Sequence, residues 1–79
     1  MSVVSLDQLK IGQSGKVIKI EGSTEQLRRR LIDMGIICGT QILMCKRAPM
    51  GDPIEIRLRG YQLTIREADA KNITLELDK

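Results

Sequence analysis

Histidine, phenylalanine and tryptophan are absent from this sequence of 79 residues, and Tyr61 is its one aromatic side chain. Without histidine the most common general base is missing, and no serine or cysteine lies beside another candidate base. Spacing alone also places no pair of carboxylates in a common cleft. The sequence therefore predicts that the chain is not an enzyme.

The shortage of aromatic residues also argues against one class of binding protein. Small barrels that bind single-stranded nucleic acid stack bases on several aromatic side chains, and Tyr61 is only one. The 13 basic and 10 acidic residues are interleaved and give a formal net charge of +3. Such a mixture is typical of a solvated surface, so no nucleic-acid partner is expected.

Cysteine is scarce, with only Cys38 and Cys45 present. A zinc site normally takes four Cys, His or carboxylate ligands at recognisable spacing, and two thiols do not define one. We interpret both cysteines as buried small hydrophobes in a reducing compartment. No metal and no cofactor is predicted, and a site shared across a dimer is the alternative.

Long apolar runs are absent too. No stretch approaches the ~20 apolar residues that span a bilayer, and Met1–Lys10 lacks the basic start and apolar run of a secretory signal. We therefore expect a cytoplasmic chain without direct membrane insertion. A chain of this length forms a single domain, 1–79, and its small core must be built from Ile, Leu, Val and Met.

One helix is predicted, over about Thr24–Met34. Ser23 and Gln26 have the spacing of a capping box at its start, and Gly35 is placed to end it. Apolar residues recur at helical spacing along one face, namely Leu27, Leu31 and Met34.

The run of arginines on this helix has two interpretations. Glu25 can pair with Arg29, and Asp33 with Arg29 or Arg30, at helical spacing, which would make a salt-bridged solvent face. The alternative is a contact with an anionic partner, which favours arginines that are not already neutralised.

Strand patterns occupy most of the remaining sequence. Thr40–Arg47 is apolar on both alternating faces, with Leu43 on one of them, so one face is either covered or left for a partner. In IEIRLRGYQLTIR a Gly60–Tyr61 turn would pair Leu58 with Leu63. The other predicted elements are a turn at Ser5–Gln8, a strand at Lys16–Ile20, a helical turn at Glu67–Lys71 and a strand at Ile73–Leu77.

The predicted fold class is mainly β with a short inserted helix. Five short strands in so few residues bury their apolar faces most economically by curling into a small barrel, which leaves fewer open edges.

The loop Ala48–Pro53 precedes the clearest strand pattern. Pro49 and Pro53 stiffen it, Gly51 permits an unusual backbone angle, and Asp52 can accept hydrogen bonds from nearby backbone amides. These residues are also ordinary turn chemistry, so the loop is either a surface for a partner or a stiff connector.

Several motifs together resemble the FeoA family. They are the R-L-x-D-x-G run ending at Gly35, the A-P-x-G-D-P loop Ala48–Pro53, the R-G-Y-x-L hairpin, and Arg66 with Ala68 and Ala70. The resemblance runs from SLDQLKIGQSGKV to the last strand. One position departs from the family, which commonly has proline before the glycine that follows the helix, where this chain has Cys38.

The resemblance implies an SH3-like barrel that serves bacterial ferrous iron uptake as a cytoplasmic accessory protein. Its partner would be FeoB, a membrane iron transporter with a GTPase domain, which the chain would bind and modulate. The candidate partner-binding residues are Leu43, Arg47, Ala48, Pro49, Met50, Gly51, Asp52 and Pro53, with Arg29 and Arg30 on the helix. Two alternatives stay open: a stand-alone metal-responsive regulatory SH3-like module, and a small nucleic-acid-binding barrel.

Overall fold

The computed structural model describes residues 2–21 and 24–78, which form strands, two helices and a 3-10 turn at Leu6–Gln8. In chain order the elements are β1 Val3–Ser5, β2 Ser14–Ile20, α1 Glu25–Asp33, β3 Gln41–Arg47, β4 Ile54–Leu58, β5 Tyr61–Ile65, α2 Glu67–Ala70 and β6 Ile73–Leu77. None of the helices in these residues has the length and apolarity needed to cross a membrane.

All of these strands join one antiparallel sheet in the order β1-β6-β2-β3-β4-β5. The predicted mainly-β fold with an inserted helix is confirmed. Within the described residues β1 pairs with β6 and β5 with β4, but β1 and β5 do not pair with each other, so closure into a barrel is not confirmed. The prediction missed β1, because three residues are too few to show an alternation.

The core is aliphatic, as the composition predicted. Buried and exposed side chains alternate along the strands, since successive residues of a strand point to opposite faces. In β3, Ile42 and Met44 are buried, whereas Leu43 and Cys45 on the other face are only half-buried. The other buried apolar side chains are Leu6, Leu9, Val17, Leu31, Ile36, Ile54, Ile56, Leu58, Ile65, Ala70, Ile73 and Leu75.

Helix α1 begins at a side-chain cap. The N–H of Leu27 donates to Thr24 Oγ1 over 3.2 Å, which satisfies one of the amides that a helix start leaves free. The predicted capping box involves Ser23, which lies outside the described residues. The other predicted box fails: Ser5 does not cap the 3-10 turn, and its hydroxyl donates to Asp7 Oδ1.

Helix α1 ends as predicted at Gly35. The N–H of Gly35 donates to Ile32 O and that of Ile36 to Leu31 O, each over 2.9 Å. Gly35 has a φ of +87°, and this pair of bonds with a left-handed residue is the Schellman motif. Ile36 and Leu31, which the motif brings together, are both buried, so the helix end is fixed to the core.

The charged face of α1 agrees in part with the prediction. Arg29 pairs with Glu25 over 3.8 Å, and both side chains are exposed. Among the described residues Asp33 forms no ion pair. An exposed pair of this kind contributes little stability, so one weak ion pair neutralises only part of this face.

The predicted register of the β4–β5 hairpin is wrong by two residues. The turn is Arg59–Gly60, so Leu58 pairs with Tyr61 and not with Leu63. Arg59 has a φ of +48° and Gly60 of +84°, and a type I′ turn requires positive φ at both positions. A shift of two residues leaves every side chain on its predicted face, because the strand period is two.

The interpretation of the cysteines as buried is also wrong. Cys38 is exposed in the turn between α1 and β3, and Cys45 is half-buried on the outward face of β3. Turns lie at the surface, and the alternation of β3 assigns its inward positions to Ile42 and Met44. Within residues 2–21 and 24–78, no three His, Cys, Asp or Glu side chains are grouped so that they could hold a metal ion.

We expect Leu31→Ala to lower the free energy of unfolding by about 2–5 kcal/mol, since it leaves a cavity in a small core. Ile32→Ala is the matched control, because Ile32 is 49% exposed and its truncation should cost less than about 1 kcal/mol. Arg28→Ala should be similarly mild. Urea denaturation measures all three, and equal losses for Leu31→Ala and Ile32→Ala would show that the buried face of α1 is misassigned.

We also predict that the fold does not need a metal ion, because aliphatic packing accounts for the core. Thermal melting before and after chelator treatment should give the same midpoint. A lower midpoint that zinc or ferrous iron raises again would contradict this prediction. If the midpoint of a Cys38→Ser, Cys45→Ser double variant then did not respond to chelator or metal, the two thiols would be identified as ligands.

Candidate functional site

The loop Ala48–Pro53 joins β3 to β4 and is closed by its own backbone. The N–H of Ala48 donates to Pro53 O over 3.0 Å, and the N–H of Gly51 donates to Ala48 O over 2.7 Å. Gly51 has the unusual backbone angle that was predicted, with a φ of +87°. Met50 lies at the tip and is 92% exposed, so the loop presents one large apolar side chain to solvent.

Asp52 fixes this loop to the second helix. Its Oδ1 accepts a hydrogen bond of 2.9 Å from the backbone N–H of Glu67, the first residue of α2. The residue before α2, Arg66, provides no side-chain cap of its own. Asp52 therefore caps α2 from a distant part of the chain, as its predicted ability to bond backbone amides allows.

Arg47 is used inside the molecule. Its Nη2 donates to the carbonyl oxygens of Asp7, over 2.5 Å, and Leu9, over 2.6 Å. The residue is half-buried, and these bonds tie the end of β3 to the segment that follows β1. Arg47 therefore positions the start of the loop, and its guanidinium is less available to a partner than its sequence position suggested.

Leu43 belongs to the outward face of the sheet. It pairs with Arg57 across β3 and β4, and Arg57 pairs with Gln62 across β4 and β5. Residues paired across antiparallel strands lie on the same face. The half-buried Leu43 is therefore flanked by the exposed Arg57, with Gln62 beyond it.

The loop and the sheet share a cleft of about 280 Å³. Its walls are Lys46, Arg47, Ala48, Pro49, Pro53, Glu55 and Thr64. Lys46 Nζ lies 3.9 Å from Glu55 Oε1, so these two charges offset each other in the wall. The structure thus joins the predicted loop to strands β4 and β5.

Arg29 and Arg30 lie elsewhere, in a groove of about 610 Å³ along α1. Its lining consists of Thr24, Gln26, Leu27, Arg29, Arg30, Asp33 and Asp69. The two linings have no residue in common. The candidate residues therefore divide into two surfaces, which we name the loop surface (Arg47–Pro53) and the helix groove (Arg29 and Arg30). Leu43, on the outward face of β3, lines neither cleft.

Sequence analysis missed Thr64 as part of the cleft beside the loop. The mistaken register placed Thr64 opposite Arg57, whereas it lies opposite Glu55 and contributes to the cleft. A turn correctly predicted at Arg59–Gly60 would have placed Thr64 opposite Glu55 and so in this cleft. Arginine seldom adopts positive φ, and the usual first residue of such a turn is Asn or Asp, so nothing in the sequence clearly indicates a turn at Arg59–Gly60.

Solved structures share this fold. The NMR structure of a FeoA-like protein from Clostridium acetobutylicum matches with a TM-score of 0.87 at 43% identity, over 98% of this chain and 88% of that chain. FeoA of Stenotrophomonas maltophilia, described as a prokaryotic SH3 domain protein, matches at 0.80 with 21% identity, over 92% and 89%. A manganese-dependent transcriptional repressor matches at 0.89 with 18% identity, over 98% of this chain and 37% of its own. The last two likenesses concern the fold alone, which is SH3-like.

Sequence comparison agrees with the motifs. The Fe(2+) transport protein A/Fe(2+) transporter FeoB fusion protein of Porphyromonas gingivalis is 32% identical over 72 residues, or 91% of this chain. The chain spans only 8% of the length of that relative. The model of the FeoA domain matches residues 4–77. The chain belongs to the FeoA family.

Proposed function

We propose that this chain is a non-enzymatic cytoplasmic accessory of ferrous iron uptake that binds and modulates a FeoB-like membrane transporter with a GTPase domain. The observation that carries the proposal is the Porphyromonas gingivalis fusion, in which a segment similar to this chain is joined to FeoB in one polypeptide. Covalent linkage keeps two segments at high effective concentration, as suits parts that act together. If this chain and its transporter are separate polypeptides, a direct contact between them would bring them together as the fusion does.

The loop surface is the proposed contact. Met50 is almost fully exposed, and an apolar side chain in that position gains free energy when a partner covers it. Closure of the loop and the hydrogen bond that the Glu67 amide donates to Asp52 hold the loop backbone in place before binding. A preordered loop loses less conformational entropy in the complex than a mobile one.

We expect Met50→Glu to weaken co-purification with the full transporter while circular dichroism shows an unchanged fold. A carboxylate is nearly neutral in its effect when exposed, but is costly when buried in an apolar contact without a partner. Ile11→Glu is the matched control, because Ile11 is an apolar side chain that is 62% exposed and lies outside the loop surface. The control should co-purify as the parent chain does.

The transporter's rate of GTP hydrolysis tests the modulating role in the same preparations. Addition of the parent chain should change this rate, and Met50→Glu should remove most of the change. If Met50→Glu binds normally while an Arg29→Glu, Arg30→Glu double variant does not bind, the contact is the helix groove and the loop is a connector.

Asp52→Ala should reduce both stability and binding. It removes the acceptor for the Glu67 amide, and loss of such a cap costs about 1 kcal/mol. The loop would also lose its attachment to α2. Asp52→Asn keeps a side-chain oxygen that can accept the bond and should restore most of both properties. Urea denaturation and co-purification measure the two effects, and full binding by Asp52→Ala would show that the attachment is not needed.

A further inference from the structure

The outer edge of β5 exposes backbone hydrogen-bonding groups. Leu58 and Tyr61 close the two-residue turn and form a hydrogen-bonded pair, so the following pairs alternate in type along the ladder. Gln62 and Thr64 fall in the pairs that do not bond β4, and their N–H and C=O groups point away from it. Within the described residues β5 has no strand on that side.

Both ends of β5 are fixed. At its start the hydroxyl of Tyr61 donates to the carbonyl oxygen of Met34, beside the end of α1. Just after its end, the Glu67 amide donates to Asp52. The edge is therefore held extended before any partner arrives, which lowers the entropic cost of adding a strand to it.

Open clefts line the same edge, and Thr64 belongs to three of them. The first is the cleft between the loop Ala48–Pro53 and the sheet. The second, of about 300 Å³, is lined by Pro53, Thr64, Ile65 and Arg66. The third, of about 340 Å³, is lined by Glu55, Gln62, Leu63 and Thr64. A strand that paired with β5 would have room here for side chains on its alternate positions. Since Pro53 also belongs to the loop cleft, the edge is continuous with the loop surface.

Exposed arginines flank this edge, and Glu55, which lines two of the clefts, is paired with Lys46. Arg57, on the strand next to β5, and Arg66, just after β5, are both exposed. The ion pairs within residues 2–21 and 24–78 use other side chains, namely Lys19 with Glu21, Arg29 with Glu25 and Lys46 with Glu55. A segment that carries Asp or Glu would complement Arg57 and Arg66, whereas a second copy would bring the same positive charges together.

We propose that β5 pairs through Gln62 and Thr64 with an extended acidic segment of the transporter, which thereby adds a strand to the sheet. This inference rests on the proposed function and specifies how the partner is held. Main-chain hydrogen bonds would provide the pairing, and the arginines would select an acidic sequence.

Thr64→Pro tests the main-chain bond. Proline lacks the N–H, and at the outer edge of an edge strand it removes no bond to β4. Thr64→Val removes the hydroxyl but keeps the N–H, so the difference between the two variants isolates the amide. We expect Thr64→Pro to bind the full transporter about tenfold more weakly than Thr64→Val, the effect of one main-chain hydrogen bond at the upper end of its range.

Amide hydrogen exchange in the parent chain gives a second measurement that does not depend on a proline variant folding. Without the transporter, the amides of Gln62 and Thr64 should exchange faster than those of Leu63 and Ile65. Addition of the full transporter should slow Gln62 and Thr64 about tenfold. A side-chain contact alone would not produce this alternation.

A charge reversal tests the acidic character of the segment. Arg57→Glu with Arg66→Glu should weaken binding about tenfold. Lys10→Glu with Lys71→Glu makes the same change of net charge at exposed positions outside β4 and β5, and should have little effect. Equal effects of the two double variants would overturn the assignment of an acidic partner segment.

The remaining outcomes separate this inference from the proposed function. If Thr64→Pro binds like Thr64→Val and the amides are not protected, while Met50→Glu still fails to bind, the strand pairing is wrong and the accessory role stands. If the parent chain does not bind the transporter, both are wrong. If Gln62 and Thr64 become protected in the chain alone as its concentration rises, the edge binds a second copy and the proposal is overturned.

Discussion

The positive φ angles of Arg59 and Gly60 set the register of the β4–β5 hairpin, on which the cleft beside the loop Ala48–Pro53 depends. A type I′ turn matches the right-handed twist of the two strands, so it fixes which residues of β4 and β5 are paired. That register places Thr64 beside Glu55, in the cleft that the loop Ala48–Pro53 also lines. It also decides which backbone groups of β5 face outwards, so a two-residue turn determines both the side chains and the main-chain groups available there.

Polar side chains hold this surface to the aliphatic core. Arg47 donates hydrogen bonds to the carbonyl oxygens of Asp7 and Leu9, and Asp52 accepts one from the Glu67 amide. Both ends of the loop are therefore attached to other segments. Charged residues that look like contact residues in the sequence thus serve within the chain. Met50 is instead 92% exposed at the loop tip, which makes it the clearest candidate for a contact with a partner.

The fold and the function rest on different evidence. The same SH3-like architecture occurs in a manganese-dependent transcriptional repressor at 18% identity, so architecture alone does not select a role. The family assignment and the fusion with FeoB in a relative point toward iron transport. In the proposed function, the loop surface and the β5 edge would supply the means of association, because one offers an exposed apolar side chain and the other main-chain groups without a strand beside them.

The sequence by itself determined the aliphatic core, the helix that ends at Gly35, the alternating faces of the strands and the family, because each depends on local periodicity or on contiguous motifs. It also indicated the loop Ala48–Pro53. Only the tertiary structure decided the Arg59–Gly60 register, the surface positions of Cys38 and Cys45, and the separation of Arg29 and Arg30 from the loop. The hairpin register is local, but a two-residue shift preserves the same hydrophobic pattern, so periodicity cannot distinguish the alternatives. The exposure of the cysteines and the separation of the arginines from the loop depend on how segments far apart in the chain pack together.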